Sequence, residues 1–241
     1  MSVSIKRHEA PDLKKVRFNC DSKIHEKLDE YELLSNLNRS HFMAYVGKGG
    51  SGKTSLMTSF LKTKSAFRGC FENIYIIIPP TSRASIENSF FEKNLPKENI
   101  YDALNIENLE EIQDRIEANS AAGERTLLLM DDVQKDLKNN DIRKLVLHLN
   151  NNKRHLKLSM WVMLQNFTKL DKQVRINLTD LIVFKVGKVE LQNLFEELIE
   201  LDIPTFKKVQ KYLFKEPYDF MYLNTNSQRI FSNFDEIIID E

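Results

Sequence analysis

The chain has 241 residues, 41% of them hydrophobic, with 35 basic side chains balanced by 35 acidic ones. That length suits one large domain, on a norm of roughly 100–200 residues per domain, and the apolar share is enough to form a core. Zero net charge removes the global signature of a polyanion binder, no apolar run nears the roughly 20 residues of a membrane helix, and the two cysteines, Cys20 and Cys70, read as free thiols of a reducing compartment.

Residues 1–20 lack periodicity and carry many charges, which predicts a flexible arm ahead of a single domain over 21–241. They also lack the apolar centre of a secretory signal. Across 22–34, Ile24, Leu28, Tyr31 and Leu34 recur at helical spacing. Residues 42–46 form a short apolar strand ending at Gly47. A helix is expected from Gly52, with Leu56, Met57, Phe60 and Leu61 on one face. Residues 74–78 are β-branched and aromatic and stop at Pro79-Pro80, as a buried parallel strand does. A helix carrying Leu109, Ile112 and Ile116 follows, then a strand over 127–130 and a helix around Ile142, Val146 and Leu149. Two more strands are predicted at 159–165 and 181–186. Leu191, Leu194, Phe195 and Leu198 mark an amphipathic helix, and Pro204 opens another. The end reads as a hairpin, 220–223 and 230–231 around a turn at 224–227. Five buried strands alternating with helices predict an α/β fold. Its parallel sheet carries helices on both faces and a C-terminal β-hairpin.

The segment Gly47-Lys48-Gly49-Gly50-Ser51-Gly52-Lys53-Thr54 fits G-x-x-x-x-G-K-[ST]. A polyphosphate needs several donors converging on it. Gly47, Gly49, Gly50 and Gly52 let the backbone curl until its N–H groups point inward. The helix that follows aims its N-terminus at the phosphates and adds about half a positive charge. Lys53 is placed to reach the β- and γ-phosphates of ATP. The Thr54 hydroxyl is placed to hold Mg²⁺, and Ser51 and Ser55 complete the loop residues expected to touch nucleotide. An apolar strand before this loop and an amphipathic helix after it are what the mechanism requires.

Leu127-Leu128-Leu129-Met130-Asp131-Asp132 is a buried strand that ends in two acids. Open α/β sheets bind ligands at that carboxyl edge. Asp131 is expected to hold Mg²⁺, and Asp132 to position and polarise the attacking water. The strand over 74–78 lies between loop and acids in the chain. Read as an inserted strand, and with a second acid after the metal ligand, it suggests the additional-strand class of P-loop ATPases. Thr168-Lys169-Leu170-Asp171 superficially matches the guanine-reading [NT]-K-x-D, but Gln134 stands where a GTPase needs the glycine of D-x-x-G.

Gln165 closes the strand beside the acids, where an amide can touch both water and γ-phosphate. Arg154 precedes the same strand, at the end away from its own phosphate. An arginine there can serve a neighbouring subunit as a finger, worth about 10³–10⁵ in rate. Arg175 is its rival.

The combination of G-K-G-G-S-G-K-T, L-L-L-M-D-D and N-K-R-H-L-K-L-S-M-W-V-M-L-Q resembles the genome-packaging ATPases of large nucleocytoplasmic DNA viruses and virophages, within the HerA/FtsK-type branch of DNA-pumping motors. Val174-Arg175-Ile176-Asn177 and Ser232-Asn233-Phe234-Asp235 are similar to later segments of that family, so the resemblance spans about 42–239. It implies an ATP-driven ring of five or six subunits that threads double-stranded DNA into a preformed capsid. Capsid or portal-vertex proteins would be partners, with no membrane contact. The implied setting is the host cytoplasm at viral assembly sites, or the virion itself. One departure stands out: the wider branch carries Glu as its second acid, where this chain has Asp132. A HerA-like helicase and a nucleotide-switched binding protein are the competing readings. Among the lysines, Lys135 and Lys138 are candidates to face DNA.

Lys53→Ala should abolish ATP hydrolysis while circular dichroism shows an unchanged fold. Full turnover in that variant would remove the loop from the account.

Overall fold

Apolar runs flanked by turn residues set the elements of this structure, a computed structural model that describes residues 2–8, 37, 40–84, 90–199 and 201–240. The chain runs through β1 (Ser2–Lys6), β2 (Phe42–Val46), α1 (Lys53–Lys62), β3 (Asn73–Ile77), α2 (Pro80–Ala84), α3 (Phe90–Asn94) and β4 (Ile100–Tyr101). It continues with α4 (Ile106–Ala121), β5 (Thr126–Asp131), α5 (Asn140–Asn152), β6 (Leu158–Leu164), α6 (Lys172–Arg175) and β7 (Asp180–Phe184). The last elements are α7 (Lys188–Leu198), α8 (Ile203–Val209), β8 (Phe220–Asn224), β9 (Ile230–Ser232) and β10 (Asp235–Asp240).

All the strands join one ten-stranded sheet in the order β1-β10-β9-β8-β7-β2-β6-β5-β3-β4. From β7 to β4 every pairing is parallel, and from β7 back to β1 every pairing is antiparallel. Strand alternation puts successive side chains on opposite faces. Phe42, Ala44 and Val46 of β2 therefore join a core with Leu109, Ile112 and Ile116 of α4 and Val146 of α5. Met43 and Tyr45 join the other, with Met57, Phe60 and Leu61 of α1. The expected α/β sheet with helices on both faces is what forms.

Two expectations need correction, and the C-terminal hairpin is borne out and extended. The inserted strand is β6, which lies between β2 and β5, whereas β3 flanks the acid strand on its far side. Chain order does not reveal this, because the crossover after β5 carries the chain back toward β2. The predicted flexible arm is a strand at its start: β1 pairs antiparallel with β10, from Ser2 opposite Asp240 to Lys6 opposite Glu236. Residues 9–20 of the arm and the helix expected over 22–34 lie outside the described residues. The hairpin of β8 and β9 is extended by β10, which gives β1 the edge it pairs with.

The N-terminal ends of the parallel strands hold a buried polar cluster. Asp180 opens β7 fully buried and accepts bonds from Thr179 Oγ1 at 2.7 Å, Tyr222 Oη at 2.7 Å and Asn224 Nδ2 at 3.0 Å. Burial raises its carboxyl to about 6, against these three donors and Lys153. A folded pKa above the unfolded value near 3.9 means that the native chain binds more protons between the two. The contribution is then fully present below about pH 4 and is lost as pH rises through about 6; its size is on the order of 3 kcal/mol. Asp180→Asn should flatten part of the fall in unfolding free energy between about pH 4 and 6, read from denaturant titrations. An unchanged pH slope would contradict the assignment.

Candidate active site

Helix α1 begins without a cap. Its N-cap Gly52 is left-handed at φ 101°, no side chain caps the first turn, and that turn holds no acid. By contrast α4, α5, α6 and α8 each start on an Asn or Asp whose side chain accepts from the helix backbone. A helix start leaves four N–H groups unsatisfied, and at α1 these and the positive dipole end face outward toward an anion.

The loop ahead of it is shaped by close approach. A Cβ on Gly47 would sit 2.6 Å from Ser51 Oγ and 2.9 Å from Phe184 Cβ, so no side chain fits. Gly50 is left-handed at φ 73°, a region that glycine enters without steric cost. The Gly47 N–H donates to Leu164 O of β6 at 3.0 Å, and Ser51 N–H closes a turn onto Lys48 O at 3.2 Å. Ser51 Oγ is buried in this turn with no hydrogen-bond partner. Lys53 Nζ donates to Gly47 O at 2.6 Å and Lys48 O at 2.9 Å, which folds the ammonium over the loop. Thr54 is half-buried and Ser55 exposed, and both line a cavity of about 600 Å³ beside the loop.

The acids come to the same edge. Asp131 is the last residue of β5. Burial first, then the neighbouring Asp132, raises its carboxyl to about 6, while Lys53 pulls it down. Lys53 in turn is lowered by burial, against the attraction of Asp131 and Asp132. The loop lysine and both acids therefore form one electrostatic unit. Asp132 has a left-handed backbone, φ 54°, which turns its carboxylate out of the strand direction. Its Oδ2 accepts from Ser82 Oγ at 2.9 Å, and its Oδ1 meets Gln165 Nε2 at 3.5 Å. Gln165 thus stands where the sequence placed it, one residue past β6 and against the second acid.

Ser82 was not foreseen. It lies on α2, just past the end of β3, the strand beyond β5. The only local signal was a hydroxyl pair, Thr81-Ser82, directly after a buried strand and two prolines. The sheet order alone gives that pair its meaning.

The arginines separate. Arg175 Nε and Nη2 pair with Glu197 at 2.9 and 2.8 Å, Nη1 donates to Thr168 O at 2.9 Å and to Leu170 O, and the guanidinium lies 5.2 Å from the Phe167 ring centre. All three of its nitrogens are engaged within its own chain. Arg154 is exposed in the turn before β6, at the opposite edge from the phosphate loop, and enters no ion pair among the described residues. It lines a polar cavity of about 420 Å³ with Lys153, Asn177, Thr179 and Thr225. The guanine-like tetrad is structural: Asp171 caps α6 and pairs with Arg143 at 2.7 Å, and Thr168 bonds Glu190.

The sheet order and the loop define the class, a P-loop NTPase with an added strand between the loop strand and the acid strand. The chain belongs to the Poxvirus A32 protein family, which it matches over residues 29–208. Among solved structures it is similar to the genome packaging NTPase B204 from Sulfolobus turreted icosahedral virus 2 in complex with ATP-gammaS, at 20% identity and TM-score 0.62, covering 81% of this chain and 98% of that one. B204, the DNA-packaging ATPase from Sulfolobus turreted icosahedral virus, matches at 17% identity and TM-score 0.60, covering 80% and 96%. EssC (ATPases 2 and 3) from Geobacillus thermodenitrificans matches at 11% and TM-score 0.53, covering 82% of this chain and 38% of that one. At these identities the likeness is one of fold. No curated protein matches the chain.

Ser82→Ala should lower kcat about tenfold with little change in KM, the low end for a hydrogen bond to a charged group. Unaltered steady-state hydrolysis would show that the Asp132 carboxylate needs no such hold.

Proposed function

We propose that this chain is an ATP-hydrolysing motor that moves double-stranded DNA, packaging a viral genome into a preformed capsid. The observation that carries it is the joint placement of the phosphate loop, Asp131, Asp132 and Gln165 on one edge of the sheet, with Lys53 coupled to both acids. Membership of the Poxvirus A32 protein family and the likeness to B204, a genome packaging NTPase, support the motor reading.

In the proposed cycle the N–H groups at the start of α1 and the loop bind the triphosphate. Lys53 moves from the Gly47 and Lys48 carbonyls to the β- and γ-phosphates. Thr54, next to Lys53 in the chain, and Asp131, whose charge acts on the Lys53 ammonium, supply a hydroxyl and a carboxylate that fit the oxygen-donor set Mg²⁺ takes. When bound, the ion supplies charge neutralisation on the phosphates. Asp132, held by Ser82 and facing Gln165, orients the attacking water toward the γ-phosphate. Asp is one methylene shorter than Glu, and the left-handed turn at Asp132 compensates by swinging its carboxylate toward Ser82 and Gln165.

Catalysis is completed by a second copy of the chain in a ring of five or six. Arg154 is exposed, lies at the far edge from its own loop and shares its cavity with Lys153, which suits an anion brought by a neighbour. Arg175, tied to Glu197, is set aside as the finger. Lys135 and Lys138 stand exposed after β5, and Lys169 and Lys185 after β6 and β7, on loops at the edge that holds the nucleotide. Such lysines read backbone charge rather than base sequence. Host cytoplasm is the setting that fits; no helix among the described residues is long and apolar enough to cross a membrane.

Arg154→Ala should lose about 10³-fold or more in turnover while still binding ATP. Mixing it with Asp132→Asn should restore hydrolysis, since one variant brings intact acids and the other an intact arginine. No recovery at any ratio would place the arginine outside trans catalysis. DNA affinity should fall with salt at a log–log slope near −0.9 per phosphate contacted, and a salt-insensitive complex would argue against the motor.

A further inference from the structure

The cavity beside the phosphate loop does not end at the phosphates. Its walls are residues 50–56 and Ser59 on the α1 side, and Phe184, Tyr218 and Phe220 on the β7–β8 side. The acids lie on the other flank of the loop, beyond β6. A triphosphate seated on α1 with its γ end toward the acids would send its nucleoside the opposite way, into this aromatic side.

Tyr218 is the unusual residue there. It is 69% exposed in the turn before β8, whereas the tyrosines of the sheet, Tyr45, Tyr75, Tyr101 and Tyr222, are buried. Its backbone is left-handed at φ 70°, a costly conformation for a bulky residue. The surrounding turn imposes it. Glu216 N donates to Asp219 Oδ2 at 2.8 Å, Asn233 Nδ2 to Asp219 Oδ1 at 2.8 Å, and Phe220 N to Asn233 Oδ1 at 2.9 Å. The strained turn presents a ring against the helix cap. A Cβ on Gly52 would meet Tyr218 Cδ1 at 3.3 Å and Phe184 Cε1 at 3.4 Å. Behind it the rings are fixed: Phe184 packs on Phe220 at 6.1 Å, Phe220 on Phe234 at 5.5 Å, and Phe234 on Phe60 at 6.4 Å. Strain held at a ligand-facing position is a mark of function.

We infer that Tyr218 is the stacking platform for the nucleobase, and that this site accepts adenine and guanine nucleotides alike. The inference rests on the phosphate-loop reading above and goes beyond it by naming the base subsite. The second half follows from the lining. Besides Lys53, the polar side chains on the cavity wall are hydroxyls: Ser51, Thr54 and Ser55 belong to the phosphate end, which leaves Ser59 and Tyr218 for the base. A hydroxyl both donates and accepts, so it serves the amino group of adenine and the carbonyl of guanine equally. Among the described residues no side-chain amide or carboxylate lines the cavity to tell them apart. A π face stacks on either base.

Binding of ATP, GTP and inorganic tripolyphosphate to the full chain, each with Mg²⁺, separates the contributions. Tyr218→Ala should weaken ATP and GTP about tenfold or more, within the range for loss of a base–aromatic stack, and leave tripolyphosphate binding as in the parent. Tyr218→Phe should recover most of the lost affinity. In the parent, kcat/KM for ATP and GTP should agree within about tenfold, since hydroxyls alone do not discriminate. Undiminished ATP binding in Tyr218→Ala overturns the proposal. So does an equal loss for ATP and tripolyphosphate, which would make the tyrosine a prop for the loop. A preference of a hundredfold or more for one purine overturns the hydroxyl reading. A parent chain that binds neither ATP nor tripolyphosphate sinks the phosphate loop itself, a result distinct from all of these.

Discussion

The unsatisfied N–H groups at the start of α1 are the constraint around which the rest is arranged. A helix that begins without a capping side chain or an early acid leaves its positive end uncompensated unless an anion supplies the balance. The preceding turn can bend tightly enough only because Gly47, Gly50 and Gly52 lack side chains. Lys53 follows on the first helical residue, so its ammonium joins the same positive field. Phosphate affinity in this chain is thus a property of backbone geometry first and of one cation second.

The sheet order then decides what that field meets. With β6 inserted between β2 and β5, the acids stand one strand away from the loop rather than beside it. Gln165 follows the end of that intervening strand and meets Asp132. The spacing also accounts for the balance of charge. Asp131 is buried enough to be raised to about 6, yet Lys53 lies near enough to oppose the rise. The site is poised by burial and charge working against each other. The left-handed turn at Asp132 directs the second carboxylate outward to Ser82 and Gln165.

The two ends of the parallel strands carry different chemistry. At the carboxyl ends lie the loop, the acids and the aromatic side of the cavity. At the amino ends, Asp180 is sealed among Tyr222, Asn224 and Thr179, close to Lys153, and the exposed Arg154 lies nearby. In the proposed ring the nucleotide edge of one protomer would meet the edge that carries Lys153 and Arg154 on the next. Such heterologous contacts close into rings when the rotation permits.

Local patterns carried much of this. Apolar runs bounded by glycine and proline revealed five of the six parallel strands, all but the two-residue β4, and the glycine-rich octet revealed the loop, because both depend on neighbours within a few residues. Asp131, Asp132 and Gln165 were legible as strand-end residues for the same reason. The edge strand β1 and its neighbour β10 were not, because their pairing joins segments far apart in sequence and Val3 and Ile5 alone make a faint alternation. Nor could the chain order say which strand is inserted. Ser82 and Tyr218 acquire roles only when β3 and β8 are set on either side of the loop and acid strands. The hold of Glu197 on Arg175 likewise shows only when α7 is packed against it. The sequence by itself determined the phosphate chemistry and the kinds of element. The tertiary structure alone decided which side chains share the site, since contacts between distant segments depend on crossovers that no local period encodes.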